Sequence, residues 1–333
     1  MDIDFVILWV DGDDPSWQRE KSKYEGKKTT ENNGVNRYRD WGLLPYWFRA
    51  VEKFTPWVRK IHFVTWGHVP NFLNLDAIKL HVVRHGEFIP AEYLPTFSSH
   101  AIEMNIHRIP GLAEHFVYFN DDMFMLRSLE ETDFFQNGLP CTYGGELPIE
   151  LTGNIGTWQH AAVNDLGIVN AHFPKRKAVK KHWKKYINKS YRWKDNIRTI
   201  LLEKIYPDYF TGFKNIHAPA AYLKKSFQEV WNAEPEKLEL TCCDRFRTSD
   251  NVNQWVVLWW QIASGKFMPK CIDNVVGAVN NDSIDEFCSI IQQQKHDYIC
   301  LNDPEAKIDF NKLSGRLIDA FELILPDKCS FEK

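Results

Sequence analysis

The feature that most constrains this chain lies near its start. Asp4-Phe5-Val6-Ile7-Leu8-Trp9-Val10 is a nearly unbroken apolar run that stops at Asp11-Gly12-Asp13-Asp14-Pro15. A strand with one wet face alternates apolar and polar residues. A continuous run is what a strand buried on both faces needs, the habit of parallel sheets covered by helices. The breakers that follow predict a turn. Similar runs recur at Ile61-His62-Phe63-Val64-Thr65-Trp66, Leu80-His81-Val82-Val83 and His115-Phe116-Val117-Tyr118-Phe119, the last ending in Asn120-Asp121-Asp122. Between them, residues 40–54 carry Leu43, Leu44, Trp47, Ala50, Val51 and Phe54 at helical spacing, with Pro45 where the helix begins or kinks. Residues 99–108 read as a short helix, and the polar stretch 18–35 as a mobile loop. This rhythm requires right-handed crossovers. The expected class is α/β, a mostly parallel Rossmann-like sheet flanked by helices, with a helix-rich insertion and C-terminal part.

Helices are expected near 158–166, 195–205, 219–232, 250–264, 284–295 and 311–323. The chain is therefore expected in three parts: an α/β part at 1–150, a helical insertion at 151–210, and a helix-rich part at 211–333 that completes the site. Within the insertion, residues 175–198 hold eleven Lys or Arg against one acid, Asp195, interleaved with Trp183, Tyr186, Tyr191 and Trp193. A solvated helical face is the plain reading. Docking to an anionic membrane surface is the functional one.

Composition removes several classes. The formal charge of −3 gives no reason to expect a nucleic-acid partner. No apolar run approaches the ~18 residues of a membrane span. The acidic start lacks the basic flank of a signal peptide. Seven cysteines without regular spacing read as free thiols in a reducing cytoplasm. The chain lacks Gly-x-Gly-x-x-Gly, a Walker loop, Gly-x-Ser-x-Gly and zinc-finger spacing, which argues against a dehydrogenase, a P-loop kinase, an elbow-type hydrolase and a zinc finger. Aromatic residues at 14% hint weakly at carbohydrate, since most of them fill cores.

Ligands of a parallel sheet sit beyond the carboxyl ends of its strands. Two acidic clusters fall there: Asp11 with Asp13, and Asp121 with Asp122. A hard cation carrying a diphosphate asks for one or two such carboxylates, although either cluster alone also reads as an Asx-rich turn. Arg37 and Arg39 have the forked donors that grip phosphate, or are solvated loop residues. Ser98-Ser99-His100 with Glu103 resembles a capping box with Ser99 as cap, and a helix start there would present N–H groups to an anion. Glu103, His107 and Arg108 are then candidate substrate contacts, with His100 beside them. His217 and Arg247 are ambiguous on local sequence alone.

These residues line up with a known family. Phe5 to Pro15 resembles the first conserved block of the Stealth proteins. The second block is similar to Asn36-Arg37-Tyr38-Arg39-Asp40, Pro56-Trp57-Val58-Arg59, Phe63-Val64-Thr65, Leu94 to Glu103, Ile106 to Leu112 and Tyr118-Phe119-Asn120-Asp121-Asp122. Ile216-His217-Ala218-Pro219 resembles the third block, and Phe246-Arg247 with Asp250 and helix 252–263 the fourth. The resemblance covers most of 4–125 and about 50 residues of 212–265.

The resemblance implies a sugar-1-phosphate transferase. Its donor would be a nucleotide sugar, usually UDP-linked, its cofactor Mg²⁺ or Mn²⁺, and its product a phosphodiester on a hydroxyl of a cell-surface polysaccharide or a lipid-linked glycan. It makes 1–150 the nucleotide-sugar-binding part. It also implies catalytic roles for Asp122, His217 and Arg247, with His217 as general base or phosphate ligand, and metal ligation by Asp121 or Asp122. Asp11, Gly12, Arg37 and Arg39 would then bind nucleotide or diphosphate. His100 departs from the pattern of the animal members and receives no essential role. The short form resembles the bacterial members, and a cytoplasmic enzyme is expected, peripheral to the inner face of the cell membrane if 175–198 docks there. A conventional metal-dependent glycosyltransferase releasing UDP, and a non-catalytic glycan-binding protein, are the competing readings.

Overall fold

The computed structural model describes residues 1–25, 38–151, 153, 155–214, 216–303 and 308–333. Its strands are β1 (Ile3–Leu8), β2 (Lys60–Thr65), β3 (Leu80–Arg84), β4 (His115–Phe119), β5 (Met123–Met125), β6 (Phe135–Gln136), β7 (Leu139–Thr142), β8 (Ala220–Leu223), β9 (Met268–Pro269), β10 (Asn274–Ala278) and β11 (Tyr298–Asn302). The α-helices are α1 (Pro15–Tyr24), α2 (Leu44–Phe54), α3 (Ser99–Asn105), α4 (Glu131–Phe134), α5 (Thr157–His172), α6 (Lys175–Tyr186), α7 (Trp193–Ile205), α8 (Lys224–Ala233), α9 (Pro235–Cys243), α10 (Trp255–Ala263), α11 (Ile284–Gln293) and α12 (Phe310–Ile324).

The central sheet has the order β3-β2-β1-β4-β8. The first four strands are parallel and β8 runs antiparallel to β4. The continuous apolar runs are explained by burial on both faces. Phe5, Ile7, Phe63 and Phe119 pack against Trp47, Phe48 and Val51 of α2 and Leu317 and Phe321 of α12. Val6, Val64, Phe116 and Tyr118 point the other way, onto Ile102, Phe227, Val256 and Trp260. A third apolar cluster joins α5 and α6 to Trp259, Ile262 and Phe267. The α10 helix therefore has the sheet on one side and the helical insertion on the other.

Two expectations need correction. Residues 15–24 are helical, although 18–35 reads as a loop. Asp14 caps this helix by accepting from the N–H groups of Ser16 and Trp17, and Pro15 opens it, which is favourable chemistry at a helix start. Only Trp17 and Lys21 are buried, so the apolar signal is faint. Residues 220–223 form the edge strand β8, and the helix expected from 219 begins at Lys224. All seven cysteines are free thiols. Among the described residues no helix is long and apolar enough to cross a membrane.

A second sheet, β10-β11-β5, ties distant parts of the chain together. The β11 strand pairs antiparallel with β5, setting Cys300 opposite Met123. The Leu301 N–H donates to the Asp122 carbonyl oxygen at 2.9 Å. The acidic end of β4 is thus seated by residues near 300.

Candidate active site

A cavity of about 660 Å³ opens at the carboxyl ends of β1 to β4. Leu8, Trp9 and Val10 leave β1 into its wall, Val64 and His85 come from the ends of β2 and β3, and Asn120, Asp121 and Asp122 from the end of β4. This is where a parallel sheet is expected to hold a ligand. The lining also includes Arg39, Asp40, Glu103, His217, Arg247 and Asp303.

Asp122 and His217 face each other, with Oδ2 to Nε2 at 3.8 Å. The Cys300 Sγ completes a cluster in which one ligand atom from each residue lies within 4.8 Å of the others. Asp122 Oδ1 is buried with no hydrogen-bond partner. A buried carboxylate oxygen without a donor is expensive, and a cation would satisfy it. Asp121 opens onto the cavity, yet protein surrounds it over the longer distances on which carboxylate solvation depends. That burial, with the negative charges of Asp122 and Asp40, pushes its carboxyl up to about 7. Burial also raises the Cys300 thiol, with the Asp122 charge adding to it, so the sulfur stays protonated. Asp122, His217 and Cys300 each offer one ligand atom, so a cation could be held here.

His217 sits in the left-handed region, at φ 42°. For a residue with a Cβ this conformation is strained and needs support from its surroundings. Asn274, at the head of β10, supplies that support. Its Nδ2 donates to the carbonyls of Ile216 at 2.9 Å and His217 at 2.8 Å.

Arg247 reaches the cavity from the loop before α10 and donates through Nη2 to Ser99 Oγ at 2.6 Å. Ser99 donates on to Glu103 Oε1 at 2.9 Å, and Glu103 Oε2 accepts from the Gln254 N–H at 3.2 Å. The Tyr118 hydroxyl lies 3.4 Å from Glu103 Oε1 and 2.7 Å from Asn120 Oδ1. Burial raises the Glu103 carboxyl, and the nearby Arg247 charge draws it back down. Glu103 is thus the hub linking Arg247 to the end of β4. The capping box is not formed. The N-cap is Ser98, without a side-chain cap bond, while Ser99 reaches Glu103 four residues on.

Other expected contacts scatter. Arg39 lines the cavity and pairs with Asp303 at 3.2 Å. Asp11 and Gly12 are absent from the lining. The Asp11 N–H donates to His68 at 2.8 Å, and its Oδ1 accepts from Asp13 at 2.9 Å. Gly12 lies beneath the Tyr38 backbone, where a Cβ would come within 2.2 Å of the carbonyl oxygen. Arg37 lies outside the described residues. His107 and Arg108 point away from the cavity: His107 stacks on Phe227, and the Arg108 guanidinium sits 4.7 Å from the Trp231 ring centre. They emerge from the short 3₁₀ turn after α3, whose side chains face α8. Cys300, Asp303 and Asn274 were not expected in the site. Their places follow from the pairing of β10 with β11 and of β11 with β5, which local sequence does not reveal.

Carboxylates, an imidazole and a guanidinium converging at the open end of a parallel sheet define an α/β enzyme built for group transfer. Comparison with known proteins specifies the family. Residues 1–29 match Stealth protein conserved region 1, and residues 37–141 match conserved region 2. The capsular polysaccharide phosphotransferase WcwK of Streptococcus pneumoniae is 39% identical over 99% of this chain and 98% of its own. The receptor polysaccharide phosphotransferase WefC of Streptococcus gordonii is also 39% identical, over 99% of this chain and 98% of its own. The exopolysaccharide phosphotransferase cps2G of Lactiplantibacillus plantarum is 36% identical over 100% of this chain and 96% of its own. A solved structure of the galactosyltransferase LgtC aligns over 94% of this chain and 95% of its own, at 10% identity and a TM-score of 0.38. That likeness is too loose to carry an argument. The chain belongs to the Stealth family, and it is a transferase.

Proposed function

We propose that this enzyme transfers a sugar-1-phosphate from a UDP-sugar to a hydroxyl of a cell-surface polysaccharide or a lipid-linked glycan. One observation carries the proposal: Asp122, His217 and Arg247, from three distant stretches of chain, line a single cavity, with Asp122 and His217 3.8 Å apart. The relatives named as polysaccharide phosphotransferases support it.

The acceptor oxygen attacks the β-phosphorus and forms the new P–O bond. The bond from that phosphorus to the bridging oxygen breaks, and UMP leaves with the electron pair. His217 takes the hydroxyl proton, a role suited to an imidazole. Arg247, held by Ser99, steadies the equatorial oxygens as charge shifts. Arg39, which lines the cavity, grips the diphosphate or nucleotide. Mg²⁺ or Mn²⁺ at Asp122 and Asp121 would supply charge neutralisation on the diphosphate. Anomeric configuration is retained because the C1–O bond is untouched. The basic stretch 175–198 would bring the cytoplasmic enzyme to the anionic inner face of the membrane, where a lipid-linked acceptor resides.

The test is product analysis with a panel of UDP-sugars, a cell-surface glycan extract and Mg²⁺ or Mn²⁺. Acceptor-dependent UMP, abolished by EDTA, is the expected outcome. Acceptor-dependent UDP would mean that the anomeric bond broke and would refute the proposal in favour of a conventional glycosyltransferase.

A further inference from the structure

Helix α7 is inverted relative to an ordinary surface helix. Its buried residues are the polar Asp195 and Thr199. Arg198 on the same side reaches the Glu146 carbonyl at 2.8 Å. Its apolar residues face outward: Trp193 is 67% exposed, Ile197 47%, Leu201 51% and Ile205 63%, with Ile200 between them. These positions follow the i, i+4, i+7, i+8, i+12 spacing of one helical stripe. A contiguous apolar stripe in water marks a surface awaiting an apolar partner.

The surroundings specify that partner by charge. Lys175 reaches the carbonyls of Leu202 and Tyr206, and Asn196 bonds Asn188, so α6 lies antiparallel beside α7. Lys180, Lys181 and Lys184 of α6 are exposed, as are Arg192, Lys194 and Lys204 around the stripe. None of the six forms an ion pair among the described residues, whereas Lys175 and Arg198 do. Cations without an acidic partner, flanking an outward apolar helical face, match the headgroups and acyl boundary of an anionic bilayer.

We infer that the outward face of α7 lies in the membrane interface, with its apolar residues below the headgroups and the α6 lysines on anionic lipid. This extends the electrostatic contact of 175–198 to an inserting surface reaching Ile205. It does not depend on the reaction, and its test contains neither donor nor acceptor.

The full chain is sedimented at low salt with vesicles of phosphatidylcholine alone and of phosphatidylcholine with phosphatidylglycerol. Binding is expected to the mixed vesicles. The variant Ile197→Gln/Leu201→Gln/Ile205→Gln keeps every charge and should lose affinity on the order of 10²-fold, with an unchanged melting temperature. Lys180→Gln/Lys181→Gln/Lys184→Gln should lose a similar factor, on the order of 10²-fold, and much of its salt dependence. Wild-type protein left in the supernatant, or unchanged affinity in either variant, overturns the inference. So does a dimer of the wild-type chain that the α7 variant converts to monomer, because a second copy then covers the stripe.

Discussion

At the scale of single residues, His217 combines a strained backbone with the ring proposed as general base. The strain is visible at φ 42°, and the Asn274 amide holds it in place. The two properties separate by substitution. His217→Ala and His217→Gly should both lose on the order of 10²-fold or more in turnover. Glycine adopts the left-handed region freely while alanine does not, so the Gly variant should be more stable than the Ala variant by about 1 kcal/mol. Thermal melting of the pair checks this, and equal stability would refute the strain. Asp122 was legible because it sits in a long, specific block, whereas His217 and Arg247 rested on shorter, looser ones; all three line the cavity. Cys300 and Asn274 were not legible, because their relevance depends on a sheet whose register joins residues about 175 positions apart. Asp14 was legible as part of an acidic turn, but its structural task is to cap α1.

Elements carry the predictions that depend on packing. The short turn after α3 buries His107 against α8, and burial pushes its imidazole down to about 3. The folded value lies below the ordinary 6.5, so the unfolded chain takes up the proton first as pH falls. The contribution of a neutral His107 to stability is therefore complete above about 6.5 and is lost as pH falls from there towards 3. Asp121 and Glu103 shift the opposite way, so only a comparison isolates the histidine. His107→Phe should gain on wild type by about 1.4 kcal/mol per pH unit between pH 6 and 5. It should retain activity, since His107 lies outside the cavity. Melting curves at several pH values decide the first point and a turnover assay the second. A second element-scale prediction concerns Arg49 of α2, which bonds Glu332 through two nitrogens at 2.7 and 3.0 Å and the Leu325 carbonyl at 2.8 Å. Arg49→Ala strands Glu332, whose side chain is 4% exposed, and should cost about 3 kcal/mol in denaturant unfolding. The four parallel strands were legible because burial on both faces writes continuous apolar runs. Helix α1 was hidden by its polar surface, and β8 by the brevity of an edge strand beside a helix start.

Across the whole molecule, the cavity is built jointly by all three thirds of the chain. A cation bound there should therefore stabilise the entire fold. Mg²⁺ or Mn²⁺ at 100 times its dissociation constant should add about 2.7 kcal/mol, and Asp122→Asn should abolish the increment. Calorimetry with and without EDTA measures it. The class of fold was legible from the rhythm of runs and turns. The closure of the site was not, since it depends on a second sheet whose strands lie far apart in sequence.

That closure also sets an order of events during synthesis. The parallel sheet can form once β4 has left the ribosome, and its antiparallel edge once β8 follows. The Leu301 N–H that seats Asp122 emerges about 180 residues after Asp122 itself. A nascent chain stalled before β11 should already resist proteolysis in its central sheet while Asp122 remains unseated. The seat of Asp122 is thus completed only after β11 has emerged.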